Sequence, residues 1–327
     1  MVKKTEIFRI NNSNFNESIR NAAEILKYGG TVAFPTETVY GLGANALNSD
    51  SMYKIFRAKG RPPDNPLIVH IASKEQVTEL SENIPDEAFG LMDIFWPGPL
   101  TLILKRKKIV PDVTTGGLDT VAIRMPDNRI ALELIKKAGI PVAAPSANLS
   151  GKPSPTTADH VIFDLSDKID AVVDGGPVDI GVESTVVDMT SEKPLVLRPG
   201  GVGIEDLKKY MPEIEIGYSK EKLTDKKVKS PGMKYIHYSP SAKVILVEGY
   251  CRISDKINQI ISDYHKKGLK VGLLATNDTA DFITEKDVNI FLLGNRDDIK
   301  KVASNLFRGL RTLDDIGLNV IIVDGSI

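Results

Sequence analysis

Cysteine is almost missing from this chain: Cys251 is the single one in 327 residues. One thiol excludes an intrachain disulfide framework and a zinc site built on four cysteines. It also fits a reducing compartment. Four histidines leave little material for a multi-histidine metal centre. Charge of one sign is missing too. The 42 Lys and Arg residues meet 43 Asp and Glu, a formal net charge of -1, so no global field draws the chain to nucleic acid or membrane. Any basic site must be local. No apolar run approaches the roughly 20 residues that span a bilayer. The start, Met1 to Ile10, carries basic residues without the apolar core of a signal peptide. These features predict a cytoplasmic protein with no membrane partner.

Standard nucleotide and hydrolase signatures are also lacking. The chain has no G-x-x-x-x-G-K-[ST], H-E-x-x-H or G-x-S-x-G. Gly41-Leu-Gly43 supplies only two glycines of a dinucleotide fingerprint and follows a proline-containing turn. P-loop, zinc-protease, serine-hydrolase and NAD chemistry all lose ground.

What is present is an ordinary globular balance, 42% apolar and 26% charged, over a length that suggests two domains. Residues 1–210 alternate helices and strands. Ile19, Ala22, Ala23 and Leu26 form an amphipathic stripe, stopped by Gly29-Gly30. A helix from about Ser49 turns Met52, Ile55 and Phe56 inward and ends before Pro62-Pro63. Strands are predicted at 31–34, 67–71, 100–104, 121–125, 141–144, 184–188 and 195–197, with Asp127 capping a helix that runs to Ala138. An α/β domain with a mixed sheet follows. Residues 211–240, rich in charge, Pro and Gly without an apolar period, read as a linker. Residues 241–327 follow the order β-α-β-β-α-β, which predicts a smaller α/β domain of Rossmann-like character.

Several segments suit a small anionic ligand. Alternation along Thr120-Val-Ala-Ile-Arg124 puts Thr120, Ala122 and Arg124 on one face, with a guanidinium fork matched to a carboxylate or phosphate. Taken alone, the segment equally describes an edge strand with a solvated arginine. His70 alternates away from Leu67, Val69 and Ile71, as a structural histidine also would. Lys54, Arg57, Lys59 and Arg61 gather at a helix end without an acid, as a phosphate clamp or a solvated C-terminus. Lys105 to Lys108 reads as an exposed turn. Ala143 to Asn148 and Gly181 to Thr185 combine hydroxyls and amides with little bulk, so backbone N–H groups can approach an anion.

Together, in one order, stand Thr36-Glu-Thr-Val-Tyr-Gly-Leu-Gly43, Lys59-Gly-Arg61, Asn65-Pro-Leu-Ile-Val-His70, Trp96-Pro-Gly-Pro-Leu-Thr101, Ala144-Pro-Ser-Ala-Asn-Leu-Ser-Gly151, Glu183-Ser-Thr185 and Leu197-Arg-Pro-Gly200. This set closely resembles the YrdC/Sua5 family over residues 8–210, and residues 241–327 resemble the extra C-terminal domain of its longer, Sua5-type members. The resemblance implies a YrdC-like twisted mixed-sheet domain with a concave cleft. It also implies an enzyme that joins L-threonine, bicarbonate (or CO2) and ATP into threonylcarbamoyl-AMP and pyrophosphate. A downstream tRNA threonylcarbamoyltransferase would then use the product. By the same resemblance Lys59, Arg61, Ser146 and Asn148 are the catalytic signature around ATP and its Mg²⁺, the metal being held mainly through the phosphates. Asn65, Thr120, Ser154 and Arg198 would lie near the nucleotide, and Thr38, His70, Arg124, Ala144 and Ser184 around threonine. Residues 231–240, with Tyr235 and His237, resemble a loop that covers the site. The competing expectation is a module that binds double-stranded RNA or tRNA without catalysis, for which the basic cluster at Lys54 to Arg61 would serve phosphates equally well.

Overall fold

The computed structural model describes residues 4–217, 229–230, 239–249 and 252–326. The chain divides into two compact units. The first holds residues 1–150, 155–178 and 183–236; the second holds 151–154, 179–182 and 237–327.

The first unit is built on a mixed sheet of twelve strands. Eleven run in the order Glu6–Arg9, Ala171–Asp174, Val32–Pro35, Tyr40–Asn45, Val142–Ala143, Ile68–His70, Thr120–Arg124, Leu100–Arg106, Thr185–Asp188, Leu195–Arg198, Glu215–Ile216. The short strand Ser81–Glu82 pairs with Leu100–Arg106. Helices Phe15–Lys27 and Arg129–Ala138 cover one face, where Ile19, Ala22, Leu26, Leu134 and Ile135 pack with Val32, Phe34 and Val173. Helices Ser49–Lys59, Asp86–Phe95 and Ala158–Leu165 supply apolar side chains to the other core. Met52, Ile55 and Phe56 are buried there as their spacing predicts.

Three differences from the sequence reading have local causes. Asn128, not Asp127, caps the helix Arg129–Ala138, because its Oδ1 accepts from the N–H groups of both Ile130 and Ala131. Tyr40–Asn45 is a fully paired strand despite its two glycines. A Cβ at Gly43 would come within 2.5 Å of Phe34 and 2.7 Å of Val142, so these neighbours require glycine there. Thr120–Arg124 is internal, parallel to Ile68–His70 and antiparallel to Leu100–Arg106, so the edge-strand reading of Arg124 does not hold.

The second unit has a four-stranded, all-parallel sheet flanked by helices Ile253–His265 and Ile299–Asp315. Its strand order is Lys243–Glu248, Val320–Gly325, Val271–Ala275, Asn289–Leu292. The expected α/β layering is present, but a Rossmann half sets its first strand beside its second. Here the long crossover helix Ile299–Asp315 brings the last strand between the first two. Gly151–Ser154 belongs to this unit, with Arg311 donating to the Pro153 carbonyl. At Gly181 (φ +77) a Cβ would lie 2.5 Å from Ser304 Cα, again within this unit.

No helix of the described residues is long and apolar enough to cross a membrane.

Candidate active site

Lys59 is the last residue of the helix Ser49–Lys59, and Gly60 ends that helix in the left-handed region at φ 63. The lysine is 2% exposed, so its ammonium must find acceptors inside the protein. It donates to the carbonyl of Asn148 at 2.6 Å and to that of Ser146, while the Ser150 N–H returns a bond to the Lys59 carbonyl at 2.8 Å. Three of the four signature residues thus meet around one ammonium. Arg61 is also buried and donates from Nη2 to the Pro66 carbonyl at 3.1 Å, which ties it to the turn holding Asn65. Asn65 is buried, and its Oδ1 accepts no hydrogen bond from the described residues.

The loop after Val142–Ala143 links this corner to the next. Leu42 N–H donates to the Pro145 carbonyl at 2.7 Å, and Gly41 forms an isolated bridge with Ser146. Ala144 N–H donates to the Ile68 carbonyl at 2.9 Å, placing Ala144 beside the strand that ends in His70. Sheet register then sets His70 opposite Arg124. Arg124 Nη1 donates to Thr38 Oγ1 at 3.0 Å and Nε to the Gly98 carbonyl at 3.2 Å. Thr38 Oγ1 lies 2.8 Å from Thr36 Oγ1. Thr38, His70, Arg124 and Ala144 are therefore neighbours in one buried group.

A third group adjoins through Pro97 to Thr101. Thr185 N–H donates to the Pro99 carbonyl, and Thr101 Oγ1 lies 2.7 Å from Ser184 Oγ. Arg198 clamps the same serine, donating to its carbonyl at 2.9 Å and its Oγ at 3.1 Å. Thr120 is buried at the start of the Arg124 strand. Ser154 is buried within the 151–154 segment of the second unit. Tyr235 and His237 lie outside the described residues.

Sequence reasoning left one member of the site without a role. Glu37 is 5% exposed, and its Oε2 lies 2.7 Å from Arg124 Nη2. The pair meets by distance but not by direction, since neither Glu37 oxygen nor Arg124 Nη2 makes an aligned hydrogen bond. An acid inside a threonine-rich turn between two buried strands was the available signal.

Burial holds His70 neutral. Its pKa falls to about 3, first because the ring is out of water and second because Arg124 is nearby. The folded pKa lies below the ordinary 6.5, so between these values the unfolded chain binds more protons. The contribution to stability is therefore complete above about 6.5 and lost progressively as pH falls towards 3. Histidine ring NMR should show His70 untitrated from pH 8 to 5. A full His70 titration near 6.5 would contradict this assignment.

Among the described residues no cluster of three or more His, Cys, Asp or Glu is disposed to hold a metal ion.

Taken together, the fold and these groups define an α/β protein whose first unit buries three cations, Lys59, Arg61 and Arg124. The family model for Sua5, YciO and YrdC proteins, with the description "Telomere recombination", matches residues 24–200. The model for the threonylcarbamoyl-AMP synthase C-terminal domain matches residues 202–326. Threonylcarbamoyl-AMP synthase of Pyrococcus abyssi is 50% identical over 309 residues, covering 94% of this chain and 88% of the relative. The Bacillus subtilis enzyme of the same name is 46% identical over 314 residues, covering 95% and 89%. A crystal structure of P. abyssi Sua5 complexed with L-threonine is similar at TM-score 0.90 and 47% identity, over 99% of this chain and 92% of that one. The chain belongs to the YrdC/Sua5 family, in its two-domain, Sua5-type form.

Proposed function

We propose that this protein is a threonylcarbamoyl-AMP synthase, which converts L-threonine, bicarbonate and ATP to threonylcarbamoyl-AMP and pyrophosphate. The observation that carries this reading is the junction at Gly41. On one side the Lys59 ammonium is fixed by the carbonyls of Ser146 and Asn148. On the other, Arg124 donates to Thr38 in a buried group, and Gly41 bridges to Ser146 between them. A substrate carboxylate and a triphosphate are then held by adjoining parts of one chain.

Arg124 pairs with the threonine carboxylate, with Thr38, neutral His70, Ala144 and Ser184 around the rest of the molecule. The free threonine amine attacks the bicarbonate carbon and water is lost, giving a carbamate whose oxygen attacks the α-phosphorus of ATP as the bond to pyrophosphate breaks. Charge builds on the α-phosphoryl oxygens and on the departing pyrophosphate. Lys59 and Arg61, already oriented by backbone carbonyls, stabilise it without reorganisation. Asn65 offers its open Oδ1 acceptor to a nucleotide donor, and Thr120 and Arg198 stand on the nucleotide side of the same unit. The Ser146 hydroxyl and Asn148 amide oxygen are ligands of the type Mg²⁺ accepts and would hold one brought by ATP, whose charge would offset that of the phosphates. No step needs a protein nucleophile. The product would pass to a tRNA threonylcarbamoyltransferase in the cytosol.

Burial also speaks against an RNA-binding module. Lys59 and Arg61 are 2% and 7% exposed, a setting that suits a compact ligand entering the fold better than the rigid backbone of a duplex lying on its surface. Purified protein with ATP, Mg²⁺ and bicarbonate should release pyrophosphate only when L-threonine is added, with a product of the adenylate's mass. Tight, salt-sensitive RNA binding without turnover would reverse the reading.

A further inference from the structure

Among the described residues, Glu37 is a buried acid beside Arg124 to which the reaction has given no task. A carboxylate taken out of water and left without hydrogen-bond donors is costly, and proteins keep such groups where function uses them. Glu37 is 5% exposed, and neither oxygen accepts a hydrogen bond from the described residues. Its close charge among the described residues is Arg124, whose Nη2 stands 2.7 Å away off the hydrogen-bonding axis. The guanidinium's other groups are committed, Nη1 to Thr38 and Nε to the Gly98 carbonyl. Arg124 is thus oriented by neutral acceptors, and Glu37 is not required to aim it.

With His70 held neutral, one positive and one negative charge face each other in this pocket. That balance suits a ligand which is itself a neutral zwitterion. A lone carboxylate would gain Arg124 but face Glu37 as a like charge. An α-amino acid brings an ammonium about one bond-length triangle from its carboxylate, and so answers both. We propose that Glu37 is a specificity-determining residue: it accepts the α-amino group of the substrate, so that the pocket selects an amino acid over the hydroxy acid of the same shape. This rests on reading the Arg124 pocket as the threonine site.

The test is calorimetric titration of wild type and Glu37→Gln with two ligands, L-threonine and 2,3-dihydroxybutyrate of matching stereochemistry, in which a hydroxyl replaces the ammonium. Wild type should prefer threonine by about 10- to 100-fold or more, the worth of a charge-assisted hydrogen bond. Glu37→Gln should weaken threonine by about 10- to 100-fold on the same basis and leave the hydroxy acid unchanged or tighter. If both ligands weaken by one factor and their ratio persists, Glu37 only positions Arg124 and the proposal fails. The wild-type comparison stands even if the variant does not fold, since equal binding of the two ligands overturns the proposal by itself. Absence of threonine binding to wild type would instead sink the reading of the pocket, and the proposal with it.

Discussion

Arg124→Ala is expected to abolish threonine binding and, in the same variant, to destabilise the N-terminal unit by about 3 to 5 kcal/mol. The two losses share a cause. Removing the guanidinium leaves the Glu37 carboxylate buried, 2.7 Å from where its counter-charge stood and without an aligned donor. The side chains of the pair are 4% and 6% exposed, so water cannot take over the solvation. The sole tryptophan gives a direct readout, because Trp96 is buried in this unit with its indole N–H on the Leu100 carbonyl. Urea titration followed by its fluorescence should show the midpoint of Arg124→Ala well below that of wild type. The double variant Arg124→Leu, Glu37→Leu should recover most of the stability, since apolar replacement of a buried pair is often neutral. It should still bind no threonine. Saturating threonine at about 100 times its Kd should raise wild-type stability by roughly 2.7 kcal/mol and neither variant's. A single variant as stable as wild type would mean that Glu37 is not an uncompensated charge without Arg124.

Period-2 alternation was enough to put Arg124 and Thr120 on one face of a strand, and helical spacing was enough to bury Met52, Ile55 and Phe56. Such patterns are local and survive without knowledge of neighbours. What they could not give was the setting of that strand. A solvated arginine at an edge and a buried one between two strands share the same pattern; the pairing with Ile68–His70 and Leu100–Arg106 decides between them. The Tyr40–Asn45 strand was hidden because its glycines answer to Phe34 and Val142, contacts made across the sheet. Glu37 stood in the sequence only as part of the Thr36 to Gly43 motif, and its meaning depends on Arg124, 87 positions further along the chain. The grouping of Gly151–Ser154 with the C-terminal unit was likewise illegible, as it turns on contacts such as that of Arg311 with Pro153. The ordered motif set carried the site further than any single pattern, because it joins segments such as Lys59 and Ser146 to Asn148 that lie far apart in sequence and meet only in the fold.

Lys59→Ala should lower turnover by about 100- to 1000-fold while leaving threonine binding in place. One preorganised donor to a developing oxyanion is commonly worth that factor. Lys59 is preorganised in the required sense: helix end, carbonyl acceptors and burial fix its ammonium before any phosphate arrives. Threonine should be indifferent to the change, because the Arg124 and Thr38 contacts belong to other strands and turns. Lys59→Arg is expected to remain defective. The slot receives a compact ammonium between two carbonyls, and a planar guanidinium presents its donors in a different, wider geometry. Pyrophosphate release under saturating substrates, set beside calorimetric threonine affinity without ATP, separates the two effects. Loss of threonine affinity equal to the loss of rate would show that Lys59 acts by holding the Ser146 to Asn148 loop rather than by meeting the phosphates. Full activity in Lys59→Ala would remove charge stabilisation at this position from the mechanism, leaving Arg61 as the remaining side-chain cation of the signature.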